Sequence, residues 1–173
     1  LYDLIGIDLM SDVLKSFLRE LPKEDSFHEV AQENPFITKM IEQGYTGRKG
    51  KGGFYRINKQ SEKKILEAIN LRSGEYSPSK KIDLGIDDKV NIKNLISRND
   101  KYGEYAWSVL SKIILYASSL IPDVTSEHNN IDEALRLGFN WAMGPFEILE
   151  EIDVKFFAEK DQNIKLSKFI RKL

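Results

Sequence analysis

The sequence predicts an all-α protein: two helical units, residues 1–56 and 88–173, joined by an extended, hairpin-like connector over 57–87. Three observations carry this. Apolar residues recur at three- and four-residue spacings in several separate stretches, the mark of one-sided helices. Proline follows a capping residue at Asn34-Pro35 and Gly144-Pro145, and Pro22 and Pro122 close apolar runs, so the chain is punctuated as helices are. Between 57 and 87 the helical period lapses into a stretch rich in Lys, Ser, Pro and Gly, the composition of a domain boundary.

In chain order, Leu1-Tyr2-Asp3-Leu4-Ile5-Gly6-Ile7-Asp8 is apolar and uncapped, as expected of a chain cut within a helical pattern, and the last residues read the same way. Asp8 is expected to cap a helix with Leu9, Met10, Val13, Leu14, Phe17, Leu18 and Leu21 on one face, ended by Pro22. Residues 23–33 are charged and predict a surface connection with an exposed, idle His28. Asn34-Pro35 opens a helix with Phe36, Ile37, Met40 and Ile41 inward, closed at Gly44. In the connector Ser61 to Asn70 is weakly helical, but Ile69-Asn70-Leu71 alternates and Arg72-Ser73-Gly74-Glu75 is turn-like, which favours extended chain.

Helical spacing resumes at Asp88 with Val90, Leu95 and Ile96, and Asn99-Asp100 marks a turn. The strongest pattern follows: Ala106, Val109, Leu110, Ile113, Ile114, Ala117, Leu120 and Ile121, broadened by Tyr105, Trp107, Leu115 and Tyr116, predict a central, mostly buried helix ended by Pro122. Past the polar loop 123–129, Asn130 is expected to cap Ile131 to Leu137, with Glu133 completing a capping box and Gly138 as a left-handed end residue. Phe139, Trp141 and Met143 predict a corner buried against another layer. Gly144-Pro145 then opens a helix with Glu147 at its positive end and Phe146, Leu149, Ile152 and Phe156 on its face. Ile164, Phe169, Ile170 and Leu173 suggest a last amphipathic helix rich in lysine.

The charge balance, 26 basic against 27 acidic residues, provides no global field for nucleic acid or an anionic membrane. The absence of cysteine excludes disulfides and thiolate metal sites, and His28 and His128 lack zinc spacing, so a cytoplasmic, metal-free protein is expected. The apolar run 106–121 is too short to span a bilayer. The glycine-rich, basic run Gly44 to Arg56 invites a phosphate-loop reading, but neither the P-loop spacing nor the three-glycine dinucleotide pattern is met, and no strand precedes it. Arg48, Lys49, Lys51 and Arg56 beside Phe54 and Tyr55 leave an RNA contact open, against a tight loop whose glycines permit close backbone approach. The adjacent acidic pairs Asp87-Asp88, Asp132-Glu133 and Glu150-Glu151 fall on expected surfaces, where solvated charge is their ordinary role.

Three stretches together resemble one family. Ile131-Asp132-Glu133-Ala134-Leu135-Arg136-Leu137-Gly138-Phe139, then Trp141 and Gly144-Pro145-Phe146-Glu147, looks like the helical C-terminal domain of the 3-hydroxyacyl-CoA dehydrogenase family. Gly47-Arg48-Lys49 with Gly53-Phe54-Tyr55 resembles that family's glycine loop, and it follows a Pro35-Phe36 helix as it does there. Leu1 to Asp8 looks like the tail of a first Gly-Pro-Phe helix, and Ile148-Leu149-Glu150-Glu151-Ile152 is similar to it at an offset of 147 residues, 148 minus 1, as expected of two copies of one helical unit. Leu71 to Tyr76 resembles the linker of multi-domain members. Two departures stand out: Asp153 in the second copy where the first has Gly6, and Gly50-Lys51-Gly52 in place of a threonine-glycine-lysine order.

The resemblance implies two related units with the fold of the 6-phosphogluconate dehydrogenase C-terminal domain. They would belong to an enzyme that oxidises L-3-hydroxyacyl-CoA with NAD in fatty-acid β-oxidation. It implies that the NAD-binding domain and the catalytic histidine, glutamate, serine and asparagine lie upstream of Leu1, so no catalytic, cofactor-binding or metal-binding residue is assigned here. NAD and acyl-CoA would be held by the whole enzyme, with an enoyl-CoA hydratase domain fused or associated. Tandem units could reproduce within one chain the contact that single-copy members form between subunits, and a homodimer is also compatible. The chain alone is then expected to be inactive. The alternative is a helical protein-binding or RNA-binding module unrelated to metabolism.

Overall fold

The computed structural model describes residues 1–58, 64–81, 83, 91–161 and 164–172. Val90, the Asp87-Asp88 pair, the helical start expected at Asp88, the stretch 61–63 and Leu173 lie outside the described residues. The chain divides into two compact units, Leu1–Ile82 and Asp83–Leu173.

In the first unit a short helix, α1 (Tyr2–Ile5), meets α2 (Ile7–Glu20) at Gly6, whose φ of 119° and ψ of 125° suit a residue without a β-carbon. Asp8 lies inside α2 and does not cap it; Gly6 holds the cap position. Leu21 closes the helix just before Pro22. The expected apolar face is only half covered: Met10, Leu14 and Leu18 are half-buried, while Leu9, Val13 and Phe17, spaced four apart, are exposed. Residues 23–33 are not wholly irregular, because Asp25 accepts from Phe27 N and supports a single turn, α3 (Phe27–Val30). His28 is half-buried and donates from Nε2 to Pro22 O at 2.9 Å. In α4 (Pro35–Glu42) Asn34 accepts from Phe36 N at 2.9 Å and Pro35 takes the first position, as the cap-plus-proline pattern predicts.

A three-stranded antiparallel sheet then departs from the all-α expectation: β1 (Tyr55–Asn58), β2 (Ile65–Ile69) and β3 (Tyr76–Pro78), in that order across the sheet. Cross-strand pairing overrides the weak helical signal of β2. Arg56 faces Glu67 and Ile57 faces Leu66, so charge and apolar pairs reward an extended chain, and the Asn70 side chain ties the following turn by accepting from Arg72 N and Ser73 N.

The second unit holds the larger core. Asn91 caps α5 (Ile92–Ile96) by accepting from Asn94 N, and Asp100 caps α6 (Lys101–Ser119) by accepting from Tyr102 N and Gly103 N, both at 3.0 Å. Ile114, Ala117 and Ser118 of α6 are buried, but Tyr105, at 72 % exposure, does not extend the buried face. Nine buried apolar residues, from Ile96 to Ile170, make one cluster here; among the described residues the first unit buries only Ile7, Ala31 and Met40 comparably. Most helical stability comes from such packing, so the second unit is the better anchored of the two.

The punctuation around α7 (His128–Phe139) differs from the sequence expectation. The helix starts two residues before Asn130, whose side chain instead donates to Thr125 Oγ1, and it runs through Gly138 to end at Asn140, φ 55° and ψ 36°. Asparagine tolerates that left-handed conformation, so Gly138 is not needed for it. The corner is half-buried only: Trp141 and Met143 pack on the core, while Leu137 and Phe139 are exposed at 79 % and 72 %. Pro145 opens α8 (Pro145–Ile152), and Asp153 (φ 80°, ψ 123°) separates it from α9 (Val154–Lys160). That break restarts the helical register, so Phe157, fully buried, fills the core where an unbroken helix would have used Phe156. The expected last helix is a single 3-10 turn, Ile170–Lys172, with Ile170 buried. Among the described residues no helix is long and apolar enough to cross a membrane.

Candidate functional site

Among the described residues, two polar corners are closed by a carboxylate against closely approaching glycines, one in each unit. In the first unit the glycine-rich run Gly44 to Tyr55 folds back on itself: Gly47 N donates to Gly52 O at 2.8 Å, Gly50 N to Gly47 O, Lys51 N to Gly44 O and Gly53 N to Tyr55 O. Asp3 of α1 closes it. Its carboxylate accepts from Phe54 N at 2.8 Å and Tyr55 N at 2.7 Å, and its carbonyl accepts from Arg48 N at 2.7 Å. A β-carbon on Gly53 would collide with the Asp3 carboxylate and one on Gly47 with the Asp3 backbone, so these glycines are there for close approach.

This arrangement tests whether the loop could cradle the pyrophosphate of NAD. A phosphate nest needs unengaged N–H groups pointing at the ligand. Here seven of them, at Gly47, Arg48, Gly50, Lys51, Gly53, Phe54 and Tyr55, are already satisfied inside the unit. The loop does not fit the cofactor.

The four cations of the run are no free patch either. Lys49 Nζ lies 2.8 Å from Asp8 Oδ1 and holds the Asp8 carboxyl below its usual range. Lys51 Nζ donates to Gln43 O at 2.8 Å, at the C-terminal end of α4. Arg56 Nε donates to Glu67 Oε2 at 2.8 Å, and Asn58 donates to the other Glu67 oxygen at 2.9 Å. Glu67 is 7 % exposed, and these two donors, Arg56 first, lower its pKa. Of the four residues on which an RNA contact would rest, three are committed within the unit.

Beside the loop, Arg56 also stacks on Tyr76, its guanidinium carbon 3.9 Å from the ring centre, and Tyr76 faces Tyr45 at 5.5 Å. Tyr76 OH donates to Gly53 O, and burial pushes its pKa up.

In the second unit the corner between α7 and α8 turns on Asp132. It is only 3 % exposed, so it is not the solvated surface charge its pairing with Glu133 predicted; Glu133 is exposed. Asp132 Oδ1 accepts from Phe146 N at 2.8 Å and thereby caps α8 from the preceding helix. Burial pushes the Asp132 carboxyl above its usual value, against the pull of that N–H, and the neighbouring Glu147 charge adds to the rise. Glu147 returns to the start of its own helix, accepting from Gly144 N at 2.7 Å, and receives Arg136 Nη1 at 2.8 Å. A β-carbon on Gly144 would collide with Asp132. Beside the corner, the His128 ring lies 5.3 Å from Phe146 and 5.6 Å from Phe169.

Sequence reasoning missed Asp3 and Asp132. Asp3 had no local signal, because its partners lie 51 and 52 residues away. Asp132 carried one weak signal, its place in the stretch that leads to Gly144-Pro145. Among the described residues no group of three or more His, Asp and Glu could hold a metal.

Both corners define a helical module in which carboxylates close turns by taking backbone N–H groups. The comparisons then give its family. The chain is 39 % identical over 149 residues to a fatty acid oxidation complex trifunctional enzyme of Rickettsia prowazekii, and 40 % identical over 149 residues to the enzyme of the same name in Rickettsia felis. It is 30 % identical over 165 residues to a 3-hydroxyacyl-CoA dehydrogenase of Bacillus subtilis. These matches cover 86 %, 86 % and 91 % of the chain and 20 % of each relative, so the chain spans about a fifth of their length. No family model and no solved structure matches it. By these relatives the chain is homologous to a segment of 3-hydroxyacyl-CoA dehydrogenase family proteins.

Proposed function

We propose that the chain is the C-terminal helical portion of an NAD-dependent L-3-hydroxyacyl-CoA dehydrogenase of fatty-acid β-oxidation, shaping the acyl-CoA cleft and a subunit or pseudo-subunit contact. In this reading NAD accepts the hydride in a nucleotide-binding domain outside these residues, with catalytic groups that are also outside them. The observation that carries it is the similarity to the named relatives over nearly the whole chain, at a fifth of their length. The satisfied glycine loop supports the same division of labour, since the residues present do not fit the cofactor's phosphates. The enzyme is taken to be cytoplasmic.

The two units are read as copies of one helical motif, over 1–56 and 88–173, with 57–87 between them. Gly6 and Asp153, 147 residues apart, support this: both have positive φ with ψ of 125° and 123°, and both separate one helix from the next. The departure at Asp153 is thus in side chain more than in backbone.

The test is complementation. The Rickettsia prowazekii relative is expressed without the matching segment and mixed with this chain, and 3-hydroxyacyl-CoA oxidation is followed with the segment supplied or withheld. Activity that appears only when the chain is added supports the reading; activity indifferent to the chain overturns it.

A further inference from the structure

The first unit contains a cleft to which the glycine-rich run contributes only Tyr45. It lies between α4 and the β2–β3 turn, about 280 Å³ in volume, and Phe36, Tyr45 and Tyr76 bring aromatic surface to its walls. Lys39 and Arg72 also line it. Unlike Lys49, Lys51 and Arg56, neither of these side chains has a hydrogen-bond or ion-pair partner among the described residues, and no carboxylate lines the cleft. The Tyr76 ring already packs against Arg56 and Tyr45, so the aromatic surface left for a ligand in the cleft is that of Tyr45 and Phe36. At the end of α4, Gly44 N and Tyr45 N donate to the carbonyls of Ile41 and Met40 and Lys51 Nζ to that of Gln43, which lessens the negative field of the helix end.

Flat aromatic surface beside two unpaired cations, with no competing acid, is the chemistry that recognises a base carrying a phosphate. The volume sits just below the roughly 300–1,000 Å³ of ordinary small-molecule sites, which suits one base with its sugar and phosphate at the rim and is too small for a whole dinucleotide. We propose that this cleft binds a phosphorylated nucleoside, the base against Tyr45 and Phe36 and the phosphate between Lys39 and Arg72. The site is independent of the role assigned to the chain above. The same chemistry is offered by a free mononucleotide and by the nucleotide end of a coenzyme A ester.

Equilibrium dialysis of the full chain against AMP, adenosine, inorganic phosphate and coenzyme A, at low salt, tests it. AMP should bind saturably at one site per chain, with adenosine and phosphate each about tenfold weaker or more, since stacking and charge each supply part of the affinity. Lys39→Ala and Arg72→Ala alter exposed side chains and should each weaken AMP several-fold and flatten its salt dependence. Tyr45→Leu should weaken AMP and adenosine by about tenfold without affecting phosphate. Coenzyme A binding tighter than AMP assigns the coenzyme as the source, and equal or weaker binding assigns the free nucleotide. The proposal is overturned if AMP binds no tighter than phosphate, if no probe binds, or if the Lys39→Ala, Arg72→Ala double variant, shown to be folded, binds AMP unchanged.

Discussion

Replacing Asp132 separates its two roles, as an acceptor for a buried N–H and as a carboxyl held in a poorly solvated place. With alanine at 132 the N–H of Phe146, a residue only 3 % exposed, loses its partner. An unsatisfied buried donor costs about 1–3 kcal/mol, and the lost side-chain packing is a smaller addition, so a loss of about 2 kcal/mol from the second unit is expected. Asparagine keeps an oxygen for Phe146 N and removes the charge, so at neutral pH Asp132→Asn should fall within about 1 kcal/mol of the parent. The pH dependence has a definite sign. Because the folded carboxyl titrates above its unfolded value, its contribution is fully present below the unfolded value and is lost as pH rises through the folded one. The asparagine variant lacks that loss, so its stability relative to the parent should improve as pH rises from the acid range to neutrality. Urea unfolding followed by tryptophan fluorescence isolates the effect, since the chain's two tryptophans, Trp107 and Trp141, both belong to the second unit. An alanine variant as stable as the parent, or an asparagine variant as damaged as the alanine one across the whole pH range, would refute the reasoning.

In the first unit, Gly53→Ala should cost about 1–3 kcal/mol by overpacking against Asp3. Asp3→Ala relieves that clash, so a double-mutant cycle read by hydrogen exchange at the loop amides should be clearly non-additive. Asp153→Ala keeps the positive φ of 80° and loses the bond to Phe156 N, so it should destabilise the second unit by about 0.5–2 kcal/mol; Asp153→Gly, which relieves the backbone, should be the milder change in the same urea assay. For Glu67, whose folded carboxyl titrates below its unfolded value, the contribution is present above the unfolded value and lost as pH falls through the folded one. Glu67→Gln should therefore flatten the acid loss of protection at the amides of Leu66 to Ile69, measured by exchange as a function of pH.

Much of the helical framework was legible because its signals are local. Asn34-Pro35, the Asn99-Asp100 turn and Gly144-Pro145 mark helix starts within one or two residues, since a cap and a fixed φ act on the next turn of the same chain. Helix ends were harder. Gly138 looked like a terminator, yet α7 continues through it to Asn140, and nothing local distinguishes two residues that can both accept a left-handed conformation. The sheet was read only as an extended stretch because its stability comes from the Arg56–Glu67 pairing across strands. The corner at Phe139 was over-read: apolar character does not say which part of a turn meets the core, and Phe139 stays exposed while Trp141 turns inward.

The polar corners divide the same way. The glycines of the loop gave notice of close approach, but not that Asp3 was what approached. A buried carboxylate such as Asp132 resembles a solvated one in a sequence, because burial is decided by the packing of the following helix. The family resemblance, carried by a few residues at each corner, was the strongest guide to relatives, and those same residues close the turns.

The most direct test of the account is to supply residues 1–173 alone with NADH and acetoacetyl-CoA and follow oxidation of the reduced cofactor. The account predicts a rate no higher than that without protein, because it places hydride transfer outside these helices. Sustained turnover proportional to the concentration of the chain would contradict it.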